Sequence, residues 1–375
     1  MSIVKPFKAV RPSRDKVALV SSKSFDAYTD KELDAKLEFN PFTFLHIINP
    51  GYKYHQEFTG EQRFKMIHNR YEEFKENKIF IKDTTDSFYI YESLDAHDSF
   101  CGIIAATAVD DYINGCIKKH EGTIKKREEL FESYLKTTGF NAEPVLLTYE
   151  DDENFNKLLL TIQEKRPEYE FSTTDKKLHR LWLVNDEIHI RKITSFFEKK
   201  EALYIADGHH RSASSSLLKK DLEKENNHHN GTENYNYFMS YIIPESNLKI
   251  SEFNRFVKDL NGLTIDEFLI ELDKSYRIEE KGKRFYKPSQ KHHFSMYLDS
   301  KFYSLYLRKS AYTYKDALSK LDAEILYKTI LKPILGIDNL DNNDRIRYRN
   351  NKLDMLSIKT LVDNGQFEIG FGMLP

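Results

Sequence analysis

The spacing of apolar residues changes period many times along this chain, and each change marks an element. Between 60 and 78, Phe64, Ile67, Tyr71 and Phe74 recur three and four residues apart, which predicts an amphipathic helix with that stripe on the core. The same spacing predicts helices over 30–37, capped by Thr29 or Asp30, and over 126–135, with Leu130, Phe131, Tyr134 and Leu135 on one face and Gly139 closing it. A further helix over 155–165 stops at Pro167. Short runs rich in β-branched and aromatic residues predict strands at 17–20, 42–48, 79–81, 87–91, 102–109, 144–149, 202–206 and 237–243. Around Asn185-Asp186, the alternation of Ile188 and Ile190 with His189 and Arg191 predicts a hairpin joining 181–184 to 187–193, with a short helix then running to Lys200. The Asn-rich stretch 223–237 reads as a mobile loop.

Composition shifts near Pro244. Beyond it the pattern predicts a helix at 264–274, a strand pair around 292–309, a helix at 315–332 and a last segment at 354–375. The fold class is therefore α+β, a mixed α/β chain with a boundary near 246. Residues 1–245 form an N-terminal region with a core at about 100–245, and 246–375 form a C-terminal α+β domain.

The stretch ALYIADGHHRSASSSLL, residues 202–218, stands out. An apolar strand turns through Asp207-Gly208 into a helix beginning near His209 or His210. A helix start carries unpaired N–H groups and partial positive charge, which together form an anion site. Here the first turn also gathers His209, His210, Arg211 and Ser212. Two imidazoles and a guanidinium beside free N–H groups point to phosphate, and the planar fork of Arg suits phosphate oxygens.

A second constellation is His120-Glu121, followed by Thr123, Lys125, Lys126 and Arg127. A carboxylate among cations is poised to take a proton from a hydroxyl while the cations hold a phosphate. The same residues also suit a plain helix start, where the dipole favours Glu. Arg11 and Arg255 are further candidates for holding an anionic substrate. Arg255, between apolar neighbours, also reads as a buried ion-pair partner. The adjacent histidines 228–229 and 292–293 do not chelate a metal well as pairs.

The totals narrow the classes. Lys and Arg number 57 against 59 Asp and Glu, a net charge of -2, which argues against nucleic acid as a partner. Two cysteines, Cys101 and Cys116, make no disulfide framework or zinc site and suggest a reduced, cytoplasmic setting. No run approaches the ~20 apolar residues of a membrane span. The chain has no G-x-x-x-x-G-K-[ST] loop, no kinase-type Gly loop and no G-x-S-x-G elbow.

Taken in order, Lys118-Lys119-His120-Glu121, the helix near Arg127, Glu143-Pro144-Val145-Leu146-Leu147 and Tyr204-Ile205-Ala206-Asp207-Gly208-His209-His210-Arg211 resemble the free serine kinases of the ParB–sulfiredoxin superfamily. The opening PFKAVRP and the stretch NPFTFLHIINP are similar to a larger bacterial group that carries D-G-H-H-R and has pyrophosphate-dependent serine kinase members. The resemblance implies a ParB–sulfiredoxin-like core and transfer of a phosphoryl group to the hydroxyl of free L-serine. It implies Glu121 as catalytic base with His120 beside it, and residues 207–211 as the phosphate turn. The kinase reading makes Asp207 a holder of Mg²⁺ or of the hydroxyl, and Thr123, Arg127, Arg11 and Arg255 candidates around the substrate. Pyrophosphate, ADP and ATP present the same terminal phosphates and stay open as donors. The other branches fit less well: His209 stands where sulfiredoxins carry Cys, and no basic recognition helix of the ParB kind is evident. A phosphate- or nucleotide-binding regulator without turnover is the alternative. Lys119 stands where the compared kinase motif has Pro, and the family's Pro-Lys-Ser/Thr-rich element is expected beyond Pro375, where this sequence stops.

Overall fold

The computed structural model describes residues 2–96, 98–120, 122–249, 253–316, 318–340, 343–350 and 356–374. The chain divides into two compact units, residues 1–248 and 249–375. Among the described residues the first unit carries eleven strands: β1 (Val4–Lys5), β2 (Val10–Pro12), β3 (Phe80–Lys82), β4 (Phe88–Leu94), β5 (Ser99–Ala108), β6 (Ile117–Lys118), β7 (Val145–Tyr149), β8 (Tyr169–Ser172), β9 (Leu178–Val184), β10 (Leu203–Asp207) and β11 (Tyr237–Pro244). Nine of them form one sheet, ordered β6-β10-β7-β11-β5-β4-β9-β8, with β1 paired to β5. The short pair β2-β3 stands apart. The fold is mixed α/β: β6 runs parallel to β10 and β7 parallel to β11, while the other pairings in the sheet are antiparallel.

The helices of this unit are α1 (Val17–Val20), α2 (Asp30–Phe39), α3 (Leu45–Ile48), α4 (Gly60–Glu76), α5 (Val109–Ile113), α6 (Lys125–Thr138), α7 (Glu153–Gln163), α8 (Glu187–Glu198) and α9 (His209–Glu225). Burial follows the pattern that made them. Thr29 caps α2 in a reciprocal box with Glu32, and Phe64, Ile67 and Phe74 of α4 are buried. Gly139 ends α6 in the left-handed region. On β10, Leu203 and Ile205 are buried and Tyr204 between them is 49% exposed, so this strand has one core face and one open face.

Five expectations are corrected. Residues 17–20 and 45–48 are helical turns, not strands. Val17 and Val20 bury at a three-residue spacing, and an apolar run this short carries no period that separates the two states. The expected hairpin at 181–193 is the strand β9 followed by α8. Asp186 is a helix N-cap whose carboxylate accepts from the His189 N–H at 3.0 Å, and Ile193 and Phe197, one helical turn apart, enter the core while Ile188 is exposed. On α6, Leu130 and Phe131 are exposed, and Tyr134 makes the inward contact, edge-on to Phe64 at 5.4 Å. The helix expected over 315–332 is broken into a 3₁₀ turn, a short α-helix (α11, below) and a π turn. The stretch after α9 holds itself together, with Glu233 accepting from the N–H groups of Asn230 and Gly231.

The second unit is a six-stranded antiparallel sheet of β12 (Phe253–Val257), β13 (Tyr276–Gly282), β14 (His293–Leu298), β15 (Lys301–Leu307), β16 (Ile346–Asn350) and β17 (Ile369–Met373), ordered β13-β15-β14-β17-β12-β16. Its core combines Phe294, Met296, Leu305 and Phe371 with Phe268 and Leu272 of α10 (Ile265–Asp273) and Ile325 and Leu326 of α11 (Asp322–Leu326). Ile358 of α12 (Leu356–Asp363) packs with Phe256 and Tyr297 in a smaller cluster. Of the expected last segment, 354, 355 and 375 lie outside the described residues.

Candidate functional site

The turn between β10 and α9 is built as its sequence demands. Gly208 has φ 98°, a region closed to most side chains. A Cβ there would also stand 3.0 Å from Nε of Arg211, whose side chain folds back over the glycine. The first ladder bond of α9 runs from the Ser212 N–H to the Gly208 carbonyl at 3.0 Å. The N–H groups of His209, His210 and Arg211 precede that ladder and point out of the helix start.

Two neighbours of β10 bring distant residues to this turn. The parallel strand β6 pairs Ile117 with Leu203 and Lys118 with Tyr204, so the chain leaving β6 travels beside the chain leaving β10. His120 thereby meets His209 edge to face, with ring centroids 4.4 Å apart. Lys119 lies over the Tyr112 ring at 3.8 Å. On the other side, antiparallel β7 pairs Leu146 with Asp207, which places Glu143 and Pro144 against the start of α9.

Arg211 sits in a clamp formed there. Its Nη1 lies 2.7 Å from the Glu143 carboxylate and donates to the Pro144 carbonyl at 2.8 Å, and its Nη2 reaches Asp207 at 2.5 Å. Both carboxylates are largely exposed, and the guanidinium is mostly covered. Nothing in the local sequence marks Glu143 as a site residue. Its signal is its place just before a strand that is antiparallel to β10.

His209 is buried, and burial, reinforced by the neighbouring His120, pushes its pKa down to about 4. It is a neutral imidazole at ordinary pH. Nδ1 of His210 is buried with no hydrogen-bond partner among the described residues. The Ser212 hydroxyl departs from expectation: it is fully buried and turns back to donate to the Gly208 carbonyl at 3.3 Å. Ser214 and Ser215 do the same to the carbonyls of His210 and Arg211. These small side chains form the buried face of α9, which Lys219 extends through an ion pair with Asp110 of α5.

The structure thus brings together His120, Asp207, Gly208, His209, His210 and Arg211. Glu121 lies outside the described residues. Thr123 gives its hydroxyl to Glu128, and Arg127 is exposed on the first turn of α6. Arg11 is engaged with partners other than the turn. It pairs with Asp83 at 2.9 Å and Glu168 at 3.2 Å and covers the Tyr169 ring, joining β2 to the β8 edge of the sheet. Arg255 belongs to β12 of the second unit. It is buried, lies over the Tyr348 ring at 5.7 Å and has Nη1 3.2 Å from the Met373 sulfur, and burial lowers its pKa. Among the described residues no group of three or more His, Cys, Asp or Glu side chains is arranged to hold a metal ion. No helix among them is long and apolar enough to cross a membrane.

The fold and this turn define a mixed α/β protein with a glycine turn and open helix N–H groups at a strand-to-helix junction. The chain belongs to the family described as protein of unknown function (DUF1015), whose model matches residues 4–324. No curated protein matches it. Solved structures similar to it include a conserved hypothetical protein from Pyrococcus furiosus, at 12% identity over 72% of this chain and 78% of that one, with a TM-score of 0.31. A free serine kinase mutant in complex with AMP matches at 12% identity over 72% and 75%, with a TM-score of 0.33. SbnI with a C-terminal truncation, from Staphylococcus aureus, matches at 13% identity over 72% and 82%, with a TM-score of 0.30.

Proposed function

We propose that this protein is a small-molecule kinase that binds the terminal phosphates of a donor at the β10–α9 turn and phosphorylates the hydroxyl of free L-serine. The observation that carries the reading is the contact of His120 with His209. Residues 89 positions apart in sequence meet at one helix start through the pairing of β6 with β10. The N–H groups of residues 209–211 would hold donor phosphate oxygens, with Arg211 exchanging its carboxylate partners for them. Phosphoryl transfer asks mainly for such positioning and charge neutralisation.

Glu121, next to His120, is proposed to take the proton from the serine hydroxyl. A Mg²⁺ arriving with the donor fits the chemistry present: such ions keep several waters and need one or two carboxylates beside the phosphates. Asp207 would supply one, and the ion would neutralise charge on the donor. Pyrophosphate, ADP and ATP all satisfy the turn, and the proposal places the reaction in amino-acid metabolism.

The test is phosphoserine formation from serine with each of the three donors and Mg²⁺, by wild type and Glu121→Gln at matched folded concentration. Loss of a general base lowers turnover by about 10²–10⁴ while donor binding stays. Equal rates would remove Glu121 as base. Donor binding with no phosphoserine from wild type would favour a regulatory phosphate-binding protein instead.

A further inference from the structure

In the first unit, away from the turn, α3, the 3₁₀ turn Tyr52–Tyr54 and α4 line an open pocket of about 400 Å³, the size of pockets that hold small organic molecules. Its walls are largely apolar: Phe42, Pro50, Tyr52, Phe74 and Ile79. Arg70, Glu73 and Phe74 of α4 and Asn77, which caps its C-terminus, line it at spacings of three and four.

The charge of the lining is one-sided. Arg70 and Lys53 face one carboxylate, Glu73. His46 adds no charge at neutral pH, because burial, with Arg70 nearby, lowers its pKa. The Arg70 side chain is only 13% exposed, and among the described residues its partner is Glu73, itself 48% exposed. A guanidinium has five N–H donors in a planar fork, and one half-exposed carboxylate leaves most of that fork for another acceptor.

We infer that this pocket is a binding site for a small carboxylate with an apolar body, its carboxylate on Arg70 and its body among Phe42, Tyr52 and Phe74. The inference is independent of the phosphate turn and of the kinase reading. Glu73 is the internal rival for Arg70, so removing its charge strengthens the site and removing the charge of Arg70 weakens it.

The experiment is ligand-observed NMR titration of the full chain with phenylacetate, benzoate and isovalerate, each beside its neutral amide. At least one carboxylate is expected to bind wild type saturably, with its amide weaker by about tenfold or more, the scale of one charge-assisted hydrogen bond. Arg70→Gln is expected to lose about the same factor, whereas Glu73→Gln binds more tightly than wild type. Gain of affinity in Glu73→Gln cannot come from a misfolded variant. Saturable binding of none of the carboxylates at millimolar concentration, equal binding of acid and amide, an unchanged Arg70→Gln, or no gain in Glu73→Gln would each overturn the assignment.

Discussion

Gly208 carries two constraints in one residue. Its φ of 98° resists any Cβ, and the space a Cβ would take is filled by Arg211. Gly208→Ala is therefore expected to cost about 1–2 kcal/mol, the scale of a left-handed non-glycine residue. Urea unfolding measures it, and an unchanged midpoint at unchanged m-value would contradict the geometry. His209 makes a prediction in pH. Its folded-state pKa, about 4, lies below the ordinary histidine value near 6.5, so the unfolded chain binds the extra proton first. Its contribution is fully present above pH ~6.5 and is lost as pH falls toward 4. Stability of wild type should fall more steeply over that window than stability of His209→Gln. Parallel curves for the two proteins would rule this out.

At the scale of elements, the site depends on the order of three strands. Parallel β6 carries His120 to α9 from one side, and antiparallel β7 carries Glu143 to Arg211 from the other. The strand-turn-helix itself was legible in the sequence because 202–206 is apolar, Gly208 breaks it and a helix start follows. The clamp on Arg211 was not, because strand neighbours far apart in sequence leave no local mark. The same limit misplaced residues 185–193. Asn-Asp serves both a hairpin turn and a helix cap, and the packing of Ile193 and Phe197 against the core decides for the cap. Ser212 was misread for a related reason: a serine in a first turn reads as a ligand until the sheet shows which face of α9 is buried. Asp186→Ala should cost about 1 kcal/mol as the loss of that cap. Loss of the α8 register would appear as faster amide exchange at His189, and exchange unchanged from wild type would count against the cap.

Across the molecule, His120 and residues 207–211 meet in the first unit, and the second unit contributes a separately cored antiparallel sheet with Arg255 inside it. The near-neutral charge of -2 gives no general attraction for anions, so phosphate affinity has to come from local groups such as those at the turn. That makes one titration decisive: calorimetric binding of pyrophosphate to wild type, Arg211→Ala and Arg211→Lys at fixed ionic strength. Arg211→Ala removes the fork and leaves Glu143 and Asp207 as bare carboxylates beside the anion. Affinity is expected to fall by roughly 1.5–3 kcal/mol, about ten- to a hundredfold, and Arg211→Lys to recover little of it. Pyrophosphate bound as tightly by Arg211→Ala as by wild type would contradict the phosphate site at this turn.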